Sequence, residues 1–298
     1  MKKLLPGILF ASLFVLTSAA AEQDNYFSHR DVPFVPTKHE VVDVMLEMAH
    51  VTKDDILYDL GCGDGRIVIT AAKNTGARGV GIDIDPERIE ESKENAELAN
   101  VTDRVTFIRQ DLFDANISKA TVIALYLLPD VNLRLRPKIL SEVKPGTRIV
   151  SHNYDMDEWE PDISTEVTDA MEFEYDSHSV FFWIVPANVS GTWKWAMQID
   201  TDNEDYEMHV DQKFQEINGK VTAGGREIQL KEMKLTGDRL YFTIEQKVKK
   251  QIVPMQFFGR VNSNYIAGSI ESGIGSGAQT VSWKASRDPS TTTPLEEW

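Results

Sequence analysis

The chain has 298 residues, of which 42% are hydrophobic and 26% are charged, a composition typical of globular proteins that excludes general disorder. This length is sufficient for two hydrophobic cores of ordinary size. The formal net charge of −16 repels phosphate backbones, so it argues against nucleic acid as a partner and favours a basic protein segment.

The first 21 residues have the order of a secretory signal peptide. Lys2 and Lys3 precede an apolar stretch over residues 4–17, and small residues follow up to an A-x-A site that ends at Ala21. The apolar stretch is shorter than the roughly 20 residues that a membrane span requires. We therefore expect cleavage and export to the periplasm, with an uncleaved inner-membrane anchor as the alternative.

A short extended segment leads into the first predicted helix. Pro33 and Pro36 lie in this lead-in, and Thr37 and Glu40 have the spacing of a capping box. Apolar residues then recur at helical spacing through residues 41–49, which predicts a helix with one face on a core.

Strand and helix patterns alternate from residue 56 onward. We predict helices at 65–76, 86–100 and 130–143, and strands at 56–60, 79–84, 104–109, 121–127 and 147–152. This alternation is typical of βαβ units that build a parallel sheet. Two further alternating segments, at 163–173 and 178–185, have no helix between them and predict an antiparallel hairpin at the sheet edge.

The first predicted strand runs into a glycine-rich loop. Asp59 precedes three alternating glycines in a D-x-G-x-G-x-G run, which are Gly61, Gly63 and Gly65. Glycines allow a tight turn and let a ligand approach the amides at a helix N-terminus, where an anionic group is favoured. The spacing differs from the G-x-G-x-x-G fingerprint of dinucleotide sites. S-adenosylmethionine (SAM) suits it, since its carboxylate can meet the amides and its ammonium can meet Asp59.

Acidic residues also end the next two predicted strands. Asp83 lies 22 residues beyond Gly61, where a carboxylate can hold a ribose diol. Asp85 and Pro86 then have the pattern of a helix cap. The D-x-G-x-G-x-G run resembles motif I of the class I SAM-dependent methyltransferases. This resemblance implies a seven-stranded Rossmann-like sheet, with Asp111 and Leu112 at the adenine.

The end of the fourth predicted strand bears on the methyl acceptor. In this superfamily the residue at that point faces the methyl group, and here it is Tyr126. The following Leu127, Leu128 and Pro129 depart from the Asn/Asp-Pro-Pro-Tyr/Phe pattern of enzymes that methylate adenine N6 or glutamine. Tyr126 is therefore a candidate for the acceptor channel, with a buried aromatic at a strand end as the alternative interpretation.

Three segments together indicate a particular group within this methyltransferase superfamily. They are residues 34–37, residues 61–68 and Ser151-His152. Over residues 32–160 the chain resembles a bacterial group related to the mitochondrial lysine methyltransferases that modify the ATP synthase c-subunit. That resemblance implies protein-lysine N-methylation, with Thr37 among the cofactor-binding residues. Methyl transfer from a sulfonium needs alignment more than a strong base, so His152 is a candidate either to orient or to deprotonate the acceptor.

The pattern changes after Pro186. Short alternating segments predict an all-β meander or small barrel, with turn signals at 218–219, 224–225, 236–238 and 262–264. Gly191-Thr192-Trp193 and the segment from Trp283 to Arg287 resemble the opening strand and the tryptophan-covering arginine of calycin barrels. We expect a structural or substrate-presenting role for this region ahead of small-ligand binding.

The patterns divide the chain into a signal peptide at 1–21, a methyltransferase domain at 32–186, a barrel-like domain at 187–288 and a flexible tail at 289–298. The histidine spacing predicts no metal site. An export signal conflicts with a cofactor made in the cytosol. A small-molecule methyltransferase and a non-catalytic envelope protein that binds a nucleoside or a partner therefore stay open beside the protein methyltransferase. The acceptor, the oligomeric state and the role of the barrel also stay open.

Overall fold

The computed structural model describes residues 32–168, 177–199, 202–248, 251–273 and 279–295. The predicted signal peptide lies outside these residues. From residue 32 onward the chain is one structural unit, which contains an α/β sheet followed by an antiparallel barrel. In the described ranges, no helix combines the length and the apolar character that crossing a membrane requires.

The α/β part has four helices and seven strands. The helices are α1 (His39–Met48), α2 (Arg66–Thr75), α3 (Pro86–Leu98) and α4 (Pro129–Glu142). The strands are β1 (Ile56–Leu60), β2 (Arg78–Asp83), β3 (Val105–Arg109), β4 (Val122–Leu125), β5 (Arg148–His152), β6 (Ile163–Thr168) and β7 (Ser177–Ile184). These bounds confirm the predicted alternation to within a few residues, and residues 169–173 of the predicted segment 163–173 lie outside the described residues.

The seven strands form one sheet in the order β3-β2-β1-β4-β5-β7-β6. The first five strands are parallel, and β7 runs antiparallel to β5 and β6. All four residues of β4 are buried, because helices cover both faces of the central strands. The carboxyl ends of β1, β2, β4 and β5 therefore meet at one edge, where ligands bind in open α/β sheets.

Local signals explain how the helices begin and pack. Asp85 caps α3 by accepting a hydrogen bond from the Glu87 amide at 2.9 Å, and Pro86 occupies the first turn. In α1 the buried residues are Val41, Val42, Met45 and Leu46, as the apolar spacing predicts. Both predictions are confirmed.

Eight strands form the barrel. They are β8 (Gly191–Ile199), β9 (Asp202–Lys213), β10 (Glu216–Ala223), β11 (Arg226–Thr236), β12 (Arg239–Val248), β13 (Gln251–Asn262), β14 (Tyr265–Ser272) and β15 (Gln279–Arg287). Each strand pairs with the next, and β15 closes the barrel on β8 through Arg287 and Trp193. The Arg287 guanidinium lies 4.8 Å from the centre of the Trp193 ring, which matches the predicted covering arginine.

Aromatic side chains fill the middle of the barrel. Trp195 stacks on Tyr206 with ring centres 5.2 Å apart, and Phe242 stacks on Phe257 at 4.4 Å. Trp283 meets three of these rings edge-on. This packing supports the structural or substrate-presenting role that the sequence favours for the region over small-ligand binding.

Two sequence expectations differ from the structure. Asn218 and Gly219 lie inside β10, where a Cβ on Gly219 would be 2.9 Å from the His209 carbonyl oxygen, so this glycine serves close strand approach instead of a turn. The predicted flexible tail is folded over residues 289–295. It forms a short 3-10 helix at Pro289–Thr291, and Leu295 is buried.

Candidate functional site

The candidate site lies at the carboxyl edge of the parallel strands. β1 supplies Asp59 and the glycine loop, β2 ends at Asp83, and β5 ends at His152. Tyr126 follows β4 directly. The topology therefore brings both predicted catalytic residues and the predicted cofactor loop to one edge of the sheet.

The glycine loop is held closely by neighbouring side chains. Gly61 has φ of +85° and Gly63 has φ of +52°. A Cβ on Gly61 would lie 2.8 Å from Leu127, and one on Gly63 would overlap the Phe34 ring. Both positions therefore require glycine for space and for backbone conformation.

The backbone amides of the glycine loop donate hydrogen bonds within the protein. The Gly61 and Cys62 amides donate to the Ile82 carbonyl, and the Gly65 amide donates to the Cys62 carbonyl. The Gly63 amide donates to the Asp83 carboxylate at 2.8 Å. The fold uses these four amides to fix the turn, and reception of the cofactor carboxylate by amides at this helix N-terminus stays a prediction.

Asp59 carries the clearest electrostatic signature of the site. Its side chain is 2% exposed, and burial, helped by the neighbouring carboxyl groups of Asp83 and Asp64, raises its pKa to about 8. A buried carboxyl beside two others is stabilised in its ionised form by a bound cation. The donor set thus fits a cofactor that presents an ammonium and a sulfonium, as SAM does.

Asp83 joins the second strand to the glycine loop. One of its oxygens accepts from the Gly63 amide, and the other accepts from the Asp85 amide at 2.9 Å. Its remaining lone pairs are available to a ribose diol at the end of β2, the position that the spacing predicts.

Three other predicted cofactor residues have different surroundings. Asp111 follows β3 and accepts from the Phe113 amide at 2.9 Å, while Leu112 is half-buried against the adjacent core. Gly65 begins α2, and a Cβ there would lie 2.7 Å from Phe107 and 2.9 Å from Ser92. Gly65 is therefore needed where α2 packs on β3 and α3, which is a packing role.

Thr37 belongs to the site and does not cap α1. The N-cap of α1 is Lys38, and no side chain caps the helix. The Thr37 hydroxyl instead lies 3.3 Å from His152 Nδ1. Its carbonyl accepts from Arg66, which is also paired with Asp64 at 2.5 Å. The capping-box prediction was wrong because a contact 115 residues away uses the hydroxyl.

The acceptor side of the site is an aromatic and imidazole cluster. The Tyr126 ring lies 3.8 Å from the His152 ring, centre to centre, at an angle of 34°. His152 is 1% exposed, and its Nε2 lies 3.0 Å from Nδ1 of His178. Both ring nitrogens of His152 thus have partners inside the protein. This geometry favours a supporting role for His152 over that of a base.

Two residues of this site were not predicted from the sequence. Phe34 covers Gly63, and its ring is in turn covered by the Arg88 guanidinium at 4.7 Å. His178 lies in β7, where buried and less buried residues alternate from Ser177 to Phe182. That alternation places His178 on the same face of the sheet as Val180 and Phe182. The alternating pattern in the sequence could therefore have indicated a buried histidine at this position.

Comparisons with known proteins agree with this geometry. The sequence model of the ANTKMT methyltransferase domain matches residues 59–163. A protein-lysine N-methyltransferase of Saccharolobus islandicus is 44% identical over 162 residues, which are 54% of this chain and 97% of that protein. The ATP synthase c-subunit lysine N-methyltransferase of Mus musculus is 30% identical over 134 residues, and the chain spans 53% of its length.

Among solved structures, one described as an RNA methyltransferase from Salinibacter ruber in complex with S-adenosyl-L-homocysteine is 51% identical. The match covers 50% of this chain and 93% of that one, with a TM-score of 0.46.

The sheet order, the glycine loop and the buried acidic strand ends define a class I SAM-dependent methyltransferase. Its cofactor is SAM, as the sequence predicts. Within that class, the match over nearly the whole length of the Saccharolobus islandicus enzyme shows that the chain belongs to the protein-lysine N-methyltransferase family.

Proposed function

We propose that this protein transfers the methyl group of SAM to the side-chain nitrogen of lysine in a protein. The observation that carries the proposal is the 44% identity to a protein-lysine N-methyltransferase over 97% of that enzyme's length. The geometry supports it, because the site joins a buried acidic cofactor region to an aromatic acceptor region at the same sheet edge.

Alignment and desolvation are the main tasks of the protein in this reaction. SAM, when bound, supplies a methyl group on a positively charged sulfur, and this sulfur is the leaving group when the acceptor nitrogen bonds to the methyl carbon. Asp59 and Asp83 would hold the cationic and ribose parts, while Gly61 and Gly63 allow close approach of the loop. We assign Gly65, Asp111 and Leu112 to the surroundings of this cofactor region, and we assign Thr37 to the acceptor side, because its hydroxyl meets His152.

Tyr126 would line the channel through which the lysine enters. A lysine ammonium must lose its proton before its nitrogen can attack, and a channel with little water lowers the lysine pKa. His152 would hold the Tyr126 ring from behind, since its own nitrogens meet Thr37 and His178. In this arrangement no strong base is required on the protein.

A labelling experiment tests the proposal. The purified protein is incubated with methyl-labelled SAM in three separate reactions. One contains an envelope protein extract, one contains total RNA, and one contains an extract of small molecules and lipids. We expect label in protein, and mass spectrometry should find methyl-lysine. Label only in RNA or only in small molecules would contradict a protein acceptor and would identify RNA or a small molecule as the acceptor instead. The Asp83→Ala variant is the control, because it lacks only the carboxylate that is proposed to bind the ribose of SAM.

We also propose that the acceptor is a basic segment attracted by the charge of −16. Salt screens such attraction over about 8 Å near physiological ionic strength. The ratio kcat/KM for a protein substrate should therefore fall as salt rises, while SAM binding changes less. A salt-independent kcat/KM would contradict steering by charge.

Export is a separate proposal. We propose that residues 1–21 are removed and that the mature protein is periplasmic, on the basis of Lys2-Lys3, the apolar stretch and the Ala19-x-Ala21 site. N-terminal sequencing of the protein from the envelope fraction should begin at Glu22. A cytosolic protein that still begins at Met1 would overturn this proposal and would remove the problem of SAM supply. An envelope protein with an intact N-terminus would support the inner-membrane anchor instead.

A further inference from the structure

The barrel wall is open along one part of the boundary between β10 and β11. The ladder between these two strands consists of three residue pairs, Val221 with Ile228, Thr222 with Glu227 and Ala223 with Arg226. Over residues 216–220, β10 pairs with β9, and over residues 229–236, β11 pairs with β12. In the described part of the barrel, these two strand edges therefore diverge without pairing to each other.

A groove of about 580 Å³ occupies this divergence. One wall consists of residues 215–218 and the other of residues 233–236. The hairpin of the α/β sheet contributes Ile163, Phe182 and Ile184. Ile163 begins β6, which is the edge strand of the seven-stranded sheet. The groove, defined by these residues, thus lies where three strand edges meet.

The lining has the chemistry of a site for an extended polypeptide. Strand edges that lack a ladder partner present backbone N–H and C=O groups that an added strand can pair with. Phe182 and Leu235 line the groove and are buried, and Ile163, which also lines it, is 54% exposed. Apolar side chains of an added strand would therefore find apolar contacts on one of its faces.

Charge on the rim favours basic side chains in the occupant. Asp162 and Glu216 line the groove together with Lys234, which leaves one excess negative charge. The whole chain carries −16. A segment in which apolar and basic residues alternate would place its apolar side chains against the apolar lining and its basic ones at the rim.

We propose that this groove binds an extended basic segment of a partner protein by strand addition. The groove lies away from the methyl-transfer site, since Ile184 pairs with Arg148 at the start of β5 and His152 ends that strand. The groove thus adds a docking surface at the opposite end of the strands from Tyr126, which goes beyond the proposed function.

Binding of a defined probe tests the proposal without SAM. The probe is a short fluorescent peptide in which lysine and valine alternate, and anisotropy reports its affinity for the full chain. We expect Glu216→Lys to weaken binding about fivefold and Lys234→Glu to strengthen it, because each changes the rim charge by two units. Glu271→Lys makes the same charge change on β14, outside the groove, and should alter affinity less than about twofold.

Two further measurements separate strand addition from simple charge attraction. Methylation of alternate backbone nitrogens of the probe should weaken binding about tenfold, since each methyl group removes a ladder donor. Amides of residues 216–220 and 230–236 should exchange more slowly when the unmodified probe is bound.

Equal affinities of Glu216→Lys and Glu271→Lys, or equal binding of the N-methylated probe, would overturn the proposal. Dimerisation of the chain through this groove, with no displacement by the probe, would assign it to a second copy and would also overturn it. Failure to find methyl-lysine in the labelling experiment would leave these binding results unaffected, so the two proposals fail separately.

Discussion

The cofactor half and the acceptor half of the site are built in different ways. The cofactor half is local in sequence, since Asp59, the glycine loop and Asp83 lie within 25 residues and on two adjacent strands. The acceptor half joins Thr37, Tyr126, His152 and His178, which are distant in sequence. A compact motif can therefore identify the cofactor, whereas the acceptor geometry exists only once the sheet has formed.

The two halves also differ in electrostatics. In the cofactor half, burial and neighbouring carboxyl groups raise the pKa of Asp59, so ionisation of that group is costly without a cation. In the acceptor half, ring stacking and imidazole hydrogen bonds hold the groups in place. The cofactor half should thus control affinity for SAM, and the acceptor half should control the rate of transfer.

The largest expected effect comes from Asp83. Asp83→Ala removes the ribose acceptor and the partners of the Gly63 and Asp85 amides, so we expect SAM affinity to fall by about 100-fold or more. Calorimetry measures this directly, with circular dichroism as the check on folding. Asp83→Asn, which retains an acceptor oxygen, should lose less. Wild-type affinity in Asp83→Ala would break the assignment of the cofactor half.

Asp59→Asn should separate stability from binding. The folded-state pKa of Asp59 lies above its unfolded value of 3.8, so the folded protein holds a proton that the unfolded chain has released. Stability is therefore lost as pH rises from about 4 to about 8. Asn lacks this titration, so the variant should gain melting temperature relative to wild type at about pH 8 but not at about pH 4.

The same variant should bind SAM about 30-fold more weakly, because a neutral amide replaces the carboxylate that meets the ammonium. Wild-type affinity should rise with pH up to about 8, and the variant should lack that rise. A melting temperature of Asp59→Asn that follows wild type at every pH would contradict the raised pKa.

Tyr126→Phe sharpens the comparison from the acceptor side. The ring and its stacking on His152 remain, but the hydroxyl is lost from the proposed lysine channel. We expect kcat to fall about tenfold while the dissociation constant for SAM changes less than about twofold, because only alignment in the transition state is disturbed. An equal loss of SAM affinity would place Tyr126 in the cofactor half instead.

The smallest expected effect is that of His178→Asn. An Asn amide can still hydrogen-bond to His152 but lacks the ring that lies 5.0 Å from it. We expect kcat to fall about threefold with SAM affinity unchanged, since the effect on Tyr126 passes through His152. His178→Ala should lose more than His178→Asn. A variant with unchanged kcat would remove His178 from the acceptor half.

Short-range signals in the sequence determined the fold class and the cofactor. Strand and helix periods, the D-x-G-x-G-x-G run and the position of Asp83 each depend on residues close in the chain, and the structure and family comparisons confirm the sheet, the barrel and SAM. Asp85 as a helix cap belongs to the same group, because its partner is two residues away.

Tertiary contacts decided the remaining features. Thr37 has the local pattern of a cap, yet its hydroxyl meets His152, and Gly219 follows Asn218 inside a strand because the His209 carbonyl leaves no room for a side chain. The loop amides suit a ligand carboxylate by local pattern, and the Ile82 carbonyl and Asp83 accept from those of Gly61, Cys62 and Gly63. In each case a partner distant in sequence competes for a group whose local pattern allows two uses, and only packing determines which partner is near enough to bond.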